Sequence, residues 1–145
     1  MNRIHNLIGL MLILAPSALC GEADADRKAL NGTWLPTAAE LSGQAFPDDV
    51  RKAITLVIKG NEYTVTIGQV TDKGTVKIDA TKKPRALDIV GGEGPNKGKT
   101  FLAIYELKGD TLRICYDLLG KKRPTEFATK KGAPLFLVTY RRAKS

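Results

Sequence analysis

The sequence predicts an all-β fold, a small antiparallel up-and-down β-barrel of about eight strands. Short segments in which apolar and polar residues alternate recur along the chain at nearly regular spacing. Turns rich in glycine, asparagine, proline and lysine separate them, and no segment after the first twenty residues resembles a helix that crosses between parallel strands. An antiparallel barrel is the simplest arrangement that pairs all of these strands.

Residues 1–20 are predicted to form a signal peptide. The apolar segment Leu7–Ala15 follows the basic residue Arg3, and it is too short for a bilayer core of about 30 Å, which needs about twenty apolar residues. The sequence therefore predicts an exported protein, periplasmic or extracellular, without a transmembrane segment. Lipid anchoring through Cys20 is the alternative, although Leu19 is larger than the residue that lipoprotein processing prefers there.

The rest of the chain has the length of one domain. Residues 21–30 are predicted to form a short charged lead-in of one helical turn or coil, and residues 31–145 the barrel. A chain of this size buries about two thirds of its unfolded surface, so it builds a core without metals or disulfides. Cys115 is a lone thiol on an alternating strand, where cysteine behaves as a small buried apolar residue.

Alternation defines the strands in order. Ile54, Leu56 and Ile58 face one side of a strand, and Gly60 with Asn61 provides a tight turn into the next strand. The same reasoning gives nine segments. They are Gly32–Leu35, Ile54–Lys59, Glu62–Ile67, Gly74–Asp79, Ala86–Val90, Phe101–Leu107, Thr111–Tyr116, Thr125–Ala128 and Leu135–Arg142.

The connections carry turn signals of their own. Pro36–Pro47 is predicted to be a loop in which Ala38–Leu41 can form a turn of helix. Asp48 and Asp49 are predicted to cap a further turn, because their carboxylates accept hydrogen bonds from exposed N–H groups. Thr71–Gly74 is predicted to be the turn that precedes the next strand.

Trp34 and Arg142 are predicted to close the barrel. Trp34 lies on the first strand and Arg142 on the last, and closure of an antiparallel barrel makes these two strands neighbours. An early tryptophan plugs one end of such a barrel, and a guanidinium can lie across the face of its indole.

The inward faces of the strands supply a candidate ligand site. Their side chains either fill the barrel or enclose a pocket for a small apolar molecule, since both occur in eight-stranded barrels. The predicted function is accordingly that of an exported, non-enzymatic ligand-binding or interaction module. The candidate lining residues are Leu56, Ile58, Tyr63, Val65, Phe101 and Tyr105.

The alternative function rests on charge. The chain has a net charge of +8, and outside the cytoplasm a basic surface meets anionic polysaccharide, cell-wall polymer or lipid headgroups rather than nucleic acid. Three basic loops would form one patch if they gathered at the same end of the barrel. Their residues are Lys82, Lys83, Arg85, Lys97, Lys99, Lys121, Lys122 and Arg123.

Histidine is missing after the predicted signal peptide, because His5 is the only one in the chain. A Ser-His-Asp triad, a Cys-His pair and a histidine-based zinc site are therefore excluded from the domain. Asp88 and Arg123 are expected to form a structural ion pair on the barrel wall. Hydrolysis by a pair of carboxylates is the alternative that stays open, although no Asp/Glu pair stands out. The prediction is a monomer that is not an enzyme and has no cofactor or metal site.

Several segments resemble a known family. Leu30–Trp34, Asp79–Ile89, Gly98–Cys115, Arg123–Phe127 and Leu137–Arg142 are similar to an uncharacterised extracytoplasmic domain found chiefly in planctomycete bacteria and described as lipocalin-like. The matching segments run through nearly the whole domain. The resemblance implies a lipocalin-like barrel, and it implies no activity, ligand or partner, since none is established for that family.

Overall fold

Nine strands form one antiparallel sheet that closes on itself in the computed structural model, which describes residues 19–144. Eight of them make a closed barrel, which confirms the predicted fold class, and a two-residue strand extends the sheet beside the first. The elements are α1 (Leu19–Leu30), β1 (Gly32–Leu41), β2 (Gln44–Ala45), α2 (Asp48–Lys52), β3 (Ile54–Lys59), β4 (Glu62–Ile67), β5 (Val70–Asp79), β6 (Arg85–Glu93), β7 (Thr100–Lys108), β8 (Thr111–Asp117) and β9 (Leu135–Arg142). The predicted signal peptide lies outside the described residues except for Leu19 and Cys20, which begin α1.

The two ends of the barrel are built differently. One end, here called the Trp34 end, carries α1 and the short turns that join β3 to β4, β5 to β6 and β7 to β8. The other end, here called the loop end, carries the longest connections between neighbouring strands of the barrel wall, among them 94–99 and 118–134, together with one short turn. It consists of α2, the β4–β5 turn (68–69), the β6–β7 loop (94–99) and the β8–β9 connection (118–134), which we call the strap.

β1 is longer than the sequence predicted. The expected loop after residue 35 continues as strand to Leu41, and no helical turn forms at 38–41. A bulge between Pro36 and Ala38 keeps β1 paired with β9. The carbonyl of Pro36 accepts a hydrogen bond from Arg51 on the edge where β1 has no strand partner. The backbone nitrogen of Pro36, which has no hydrogen to donate, faces the same edge. The strand therefore loses no hydrogen bond to a neighbour, and the proline is tolerated within it.

Two other strand predictions were wrong. β5 begins at Val70 rather than Gly74, because Asp72 points inward and accepts hydrogen bonds there instead of making a turn. Residues 125–128 form no strand. This part of the strap lies on the outer face of the sheet, where the Arg113 guanidinium stacks 4.1 Å from the centre of the Phe127 ring.

Both helices differ from their predictions. The lead-in is a helix of 12 residues rather than a single turn, and its Leu30 belongs to the barrel core. The predicted turn at 48–52 is α2, but neither aspartate caps it, since Pro47 holds the N-cap position and no side chain bonds there. Asp48 instead pairs with Arg51 at 3.2 Å.

The sheet closes at Trp34. This residue is in register with Leu56 of β3 on one side and with Arg142 of β9 on the other, so the ring of strands is completed there. The indole is fully buried, and its Nε1 donates to the Leu30 carbonyl at 2.9 Å. The Arg142 guanidinium lies 4.3 Å from the centre of the indole, which is the predicted contact.

Removal of the Trp34 side chain should cost the protein about 3–5 kcal/mol, the usual loss for a buried aromatic residue changed to alanine. We expect Trp34→Ala to lower the free energy of unfolding by this amount in urea, followed by circular dichroism. Arg142→Ala should cost less, because the cation–π contact contributes about 0.5–2 kcal/mol. Arg141→Ala, the exposed neighbour, is the control and should have little effect. Equal losses for Arg141→Ala and Arg142→Ala would contradict this account of closure.

Candidate functional site

The six residues predicted to line a ligand pocket lie on the inner face of the barrel. Leu56, Ile58, Tyr63 and Tyr105 are buried in one apolar cluster, and Val65 and Phe101 pack against it. Trp34 and Leu30 cover this core at one end. At the other end three aromatic rings in contact cover it, those of Phe46, Phe136 and Tyr116. The six side chains are therefore packed as core.

The interior also holds all four tyrosines of the chain, and the fold uses their hydroxyl groups. Tyr63 donates to Asp72 at 2.8 Å, and Tyr105 donates to Asp26 of α1 at 2.6 Å. Burial, followed by these carboxylates, raises the pKa of both tyrosines far above the ordinary value. Burial also raises the pKa of Tyr140 to about 12. The hydroxyls of Tyr63 and Tyr105 thus join the core to Asp72 near the loop end and to Asp26 of α1 at the Trp34 end.

The eight predicted basic residues do not form one patch. Lys82, Lys83 and Arg85 lie at the Trp34 end, on the opposite side of the barrel from the other two basic loops. Arg85 contacts both carboxylate oxygens of Asp26, at 2.8 and 3.0 Å. Its charge is therefore used to hold α1 on the barrel.

Arg123 is also a structural residue. Its guanidinium pairs with Asp88 at 2.6 Å, as predicted, and donates to the carbonyls of Leu87 and Ala103. These contacts fasten the middle of the strap to the outer faces of β6 and β7. The strap also covers Cys115, which is buried as predicted and lies 3.8 Å from the Ala128 carbonyl.

The remaining basic candidates gather at the loop end. Sequence reasoning missed two members of this group, although the charged turn Lys130-Lys131-Gly132 was a signal for them. All are exposed, and none forms an ion pair within residues 19–144. We call this group the loop-end lysines, namely Lys97, Lys99, Lys121, Lys122, Lys130 and Lys131.

The Trp34 end carries both paired and unpaired basic side chains. Arg85 pairs with Asp26 and Arg142 with Asp110 at 3.1 Å, whereas Lys59, Lys82 and Lys83 are exposed and form no ion pair within residues 19–144. Lys108 lies 3.7 Å from Glu106. The loop end exposes the six loop-end lysines and Lys52, together with the carboxylates Asp48, Asp49, Glu93 and Glu126, so its exposed charge is positive on balance.

Two buried carboxylates hold the basic loops in place. The Asp117 carboxylate accepts hydrogen bonds from the backbone N–H groups of Leu119, Lys121 and Lys122 at 3.1, 2.9 and 2.6 Å. Burial alone would raise the pKa of Asp117, but these donors outweigh burial and hold the pKa below its usual value. The Asp72 carboxylate likewise accepts hydrogen bonds from the backbone and side-chain N–H groups of Asn96, and it thereby anchors the β6–β7 loop.

Close backbone approaches complete the arrangement of the loops. A side chain at Gly91 would lie 1.8 Å from the Asn96 carbonyl, so only glycine lets the β6–β7 loop fold back on its own strand. Ser42 donates to the Ala133 carbonyl at 2.6 Å, which ties the end of the strap to β1. The lysines thus project from anchored loops.

A cavity of about 360 Å³ lies beneath the strap. Leu119, Pro124, Pro134 and Leu135 supply apolar walls, and lysines including Lys122 stand beside them. A second hollow of about 400 Å³ lies on the outer wall over β4, β5 and β6. Of the six predicted lining residues, only Tyr63 borders either cavity.

Comparison with known proteins identified no relative of this chain. No known family model, curated protein or solved structure matches the chain. The resemblance to the planctomycete domain therefore stays a prediction. Among the described residues, no group of three or more cysteine, histidine, aspartate or glutamate side chains could hold a metal ion. No helix within residues 19–144 has the length and apolar character needed to cross a membrane.

Asp117→Asn should loosen the strap, because an amide supplies only one oxygen acceptor where three N–H donors converge. We expect a loss of about 1–3 kcal/mol in the free energy of unfolding at pH 7, measured in urea. The folded pKa of Asp117 lies below its unfolded value of about 3.9. Its contribution is therefore complete above that value and is lost as the pH falls through the folded pKa.

The difference between the unsubstituted protein and Asp117→Asn should consequently shrink as the pH is lowered towards about 2. Asp49→Asn, which changes an exposed aspartate of α2, is the control and should have little effect at pH 7. A difference that persists or grows at low pH would mean that Asp117 does not anchor the strap as a carboxylate.

Proposed function

We propose that the protein is an exported binding module whose loop end contacts an anionic surface, one that displays phosphate, sulfate or carboxylate groups in an array. The observation that carries this proposal is the set of six loop-end lysines, which are exposed and have no ion-pair partner in the part of the chain that the structure describes. The predicted signal peptide supports the setting, since an exported protein meets such surfaces outside the cytoplasm.

The geometry favours an extended partner over a small anion. The lysines stand on separate segments, the β6–β7 loop and the two ends of the strap, which border the mouth of the barrel. No single small anion reaches all of them, whereas a polymer or a layer of headgroups does. Each lysine near such a surface contributes about 1 kcal/mol, and the attraction weakens with salt because charges are screened within about 10 Å at 0.1 M.

The test compares two matched pairs of charge reversals. Lys97→Glu with Lys99→Glu changes the loop end, and Lys82→Glu with Lys83→Glu makes the same charge change at the Trp34 end. On a sulfated polysaccharide column at low salt, we expect the loop-end variant to bind about tenfold or more weakly than the unsubstituted protein. The Trp34-end variant should elute close to the unsubstituted protein.

Equal effects of the two reversals would contradict the proposal, because they would mean that net charge alone causes retention. Loss of retention must be accompanied by an unchanged melting temperature, which separates binding from folding. Retention that survives high salt would also contradict a mechanism based on exposed charges.

The cavity beneath the strap favours a second candidate function, the binding of a small apolar molecule with an anionic head. Its volume of about 360 Å³ lies in the range of small-molecule sites, and it joins apolar walls to lysine side chains. This candidate site is a different one from the predicted site, because none of the six predicted lining residues borders it.

Decanoate is a suitable probe for this second candidate. We expect it to bind the unsubstituted protein in calorimetry, and we expect Ala133→Phe, which fills the cavity, to abolish binding. Val57→Phe, which introduces the same side chain at an exposed position on the outer wall of β3, should leave binding intact. Equal losses in both variants, or no binding by the unsubstituted protein, would remove this candidate.

A further inference from the structure

The large apolar side chains that remain exposed are unevenly distributed. Among the described residues seven large apolar side chains are exposed, and five of them lie at the loop end. Leu119 is 62% exposed, Val70 53% and Ile67 48%. The turns of the Trp34 end carry none of the seven. We call the five the apolar tips, namely Val50, Ile67, Val70, Leu118 and Leu119.

The apolar tips come from three separate segments that surround the barrel mouth. Ile67 and Val70 flank the β4–β5 turn, and Gly68 in that turn donates to the Ala53 carbonyl at 3.1 Å, next to α2. Leu119 lies on the strap beside the Asp117 anchor. A single exposed leucine is ordinary on a protein surface, but apolar residues that converge from distant parts of the chain indicate an interaction surface.

The loop-end lysines border these apolar tips. Lys121 and Lys122 follow Leu119 directly, and Lys97 and Lys99 lie on the loop between the β4–β5 turn and the strap. Four exposed carboxylates, those of Asp48, Asp49, Glu93 and Glu126, share this end with the six loop-end lysines and Lys52, so positive charge prevails. A soluble or surface polysaccharide would satisfy the lysines and leave the apolar tips in water. An anionic bilayer satisfies both, because headgroups meet the lysines and the acyl boundary accepts the apolar side chains.

We propose that the loop end docks on a bilayer containing anionic lipid, with Ile67, Val70 and Leu119 entering the boundary between headgroups and acyl chains. The proposal rests on the proposed function, since it uses the same lysines, and it goes further by naming a lipid surface as the partner. The strand-anchored turns and the Asp117-anchored strap present the tips as rigid wedges, so little ordering is needed on contact.

The first test is cosedimentation of the full chain with vesicles of phosphatidylcholine alone or with added phosphatidylglycerol. We expect binding only where phosphatidylglycerol is present. The triple variant Ile67→Ser, Val70→Ser, Leu119→Ser should bind these vesicles about tenfold or more weakly, while its retention on the polysaccharide column stays unchanged. The matched control Leu35→Ser with Val57→Ser alters the two exposed apolar residues of the outer wall and should bind normally.

A second variant keeps the proposal falsifiable if the triple variant folds poorly. Leu119→Trp adds an indole at the loop end, while Trp34 stays buried in the barrel core and supplies a constant background. We expect its emission to shift to the blue on vesicles that contain phosphatidylglycerol. Leu35→Trp on the wall should show no shift.

The outcomes separate the two proposals. Undiminished vesicle binding by the triple variant, or Leu119→Trp emission that stays unshifted, overturns lipid insertion. Retention on polysaccharide without any binding to anionic vesicles overturns it too and leaves the proposed function standing. A protein that binds neither support refutes both proposals together.

Discussion

The structure depends on the contact between Trp34 and Arg142. Trp34 pairs with strands on both sides, so the ring of strands closes through one residue. Arg142 covers the indole and also donates to the carbonyls of Ala29 and Asn31 at the end of α1, at 2.5 and 2.6 Å. A cation at this place suits the negative end of a helix dipole. One side chain thus joins the helix, the first strand and the last.

Closure at one end leaves the other end free for the binding that we propose. The Trp34 end is stabilised by α1 and by partnered charges, such as Arg85 with Asp26. The loop end has a packed aromatic floor beneath connections of many residues, and its lysines are exposed. Binding residues commonly lie on loops that a rigid scaffold holds in place, because the sequence of a loop can change without loss of the packed core.

Much of the barrel could be predicted from the sequence, because alternation reports directly which face of a strand is buried. The extension of β1 could not, since a proline ends a strand unless a bulge and a free edge accommodate it, as at Pro36. The separation of the basic loops could also be predicted from the sequence. Successive turns of an up-and-down barrel alternate between its ends, so Lys82 and Lys97, on consecutive connections, must lie at opposite ends. The strap carried no periodic signal, because Pro124 and Phe127 pack against the outer face of the sheet without strand pairing.

The buried carboxylates explain how a small barrel keeps irregular segments in fixed positions. Asp26, Asp72 and Asp117 each lie where regular structure gives way to a connection or meets a neighbouring segment. Each accepts hydrogen bonds from N–H or O–H donors of another segment, so its oxygens hold the chain in place instead of acting as a free base. Buried charge is costly unless it is partnered in this way. Because Asp72 and Asp117 anchor the two basic loops, the positions of the exposed lysines are determined by hydrogen bonds within the barrel rather than by the lysines themselves.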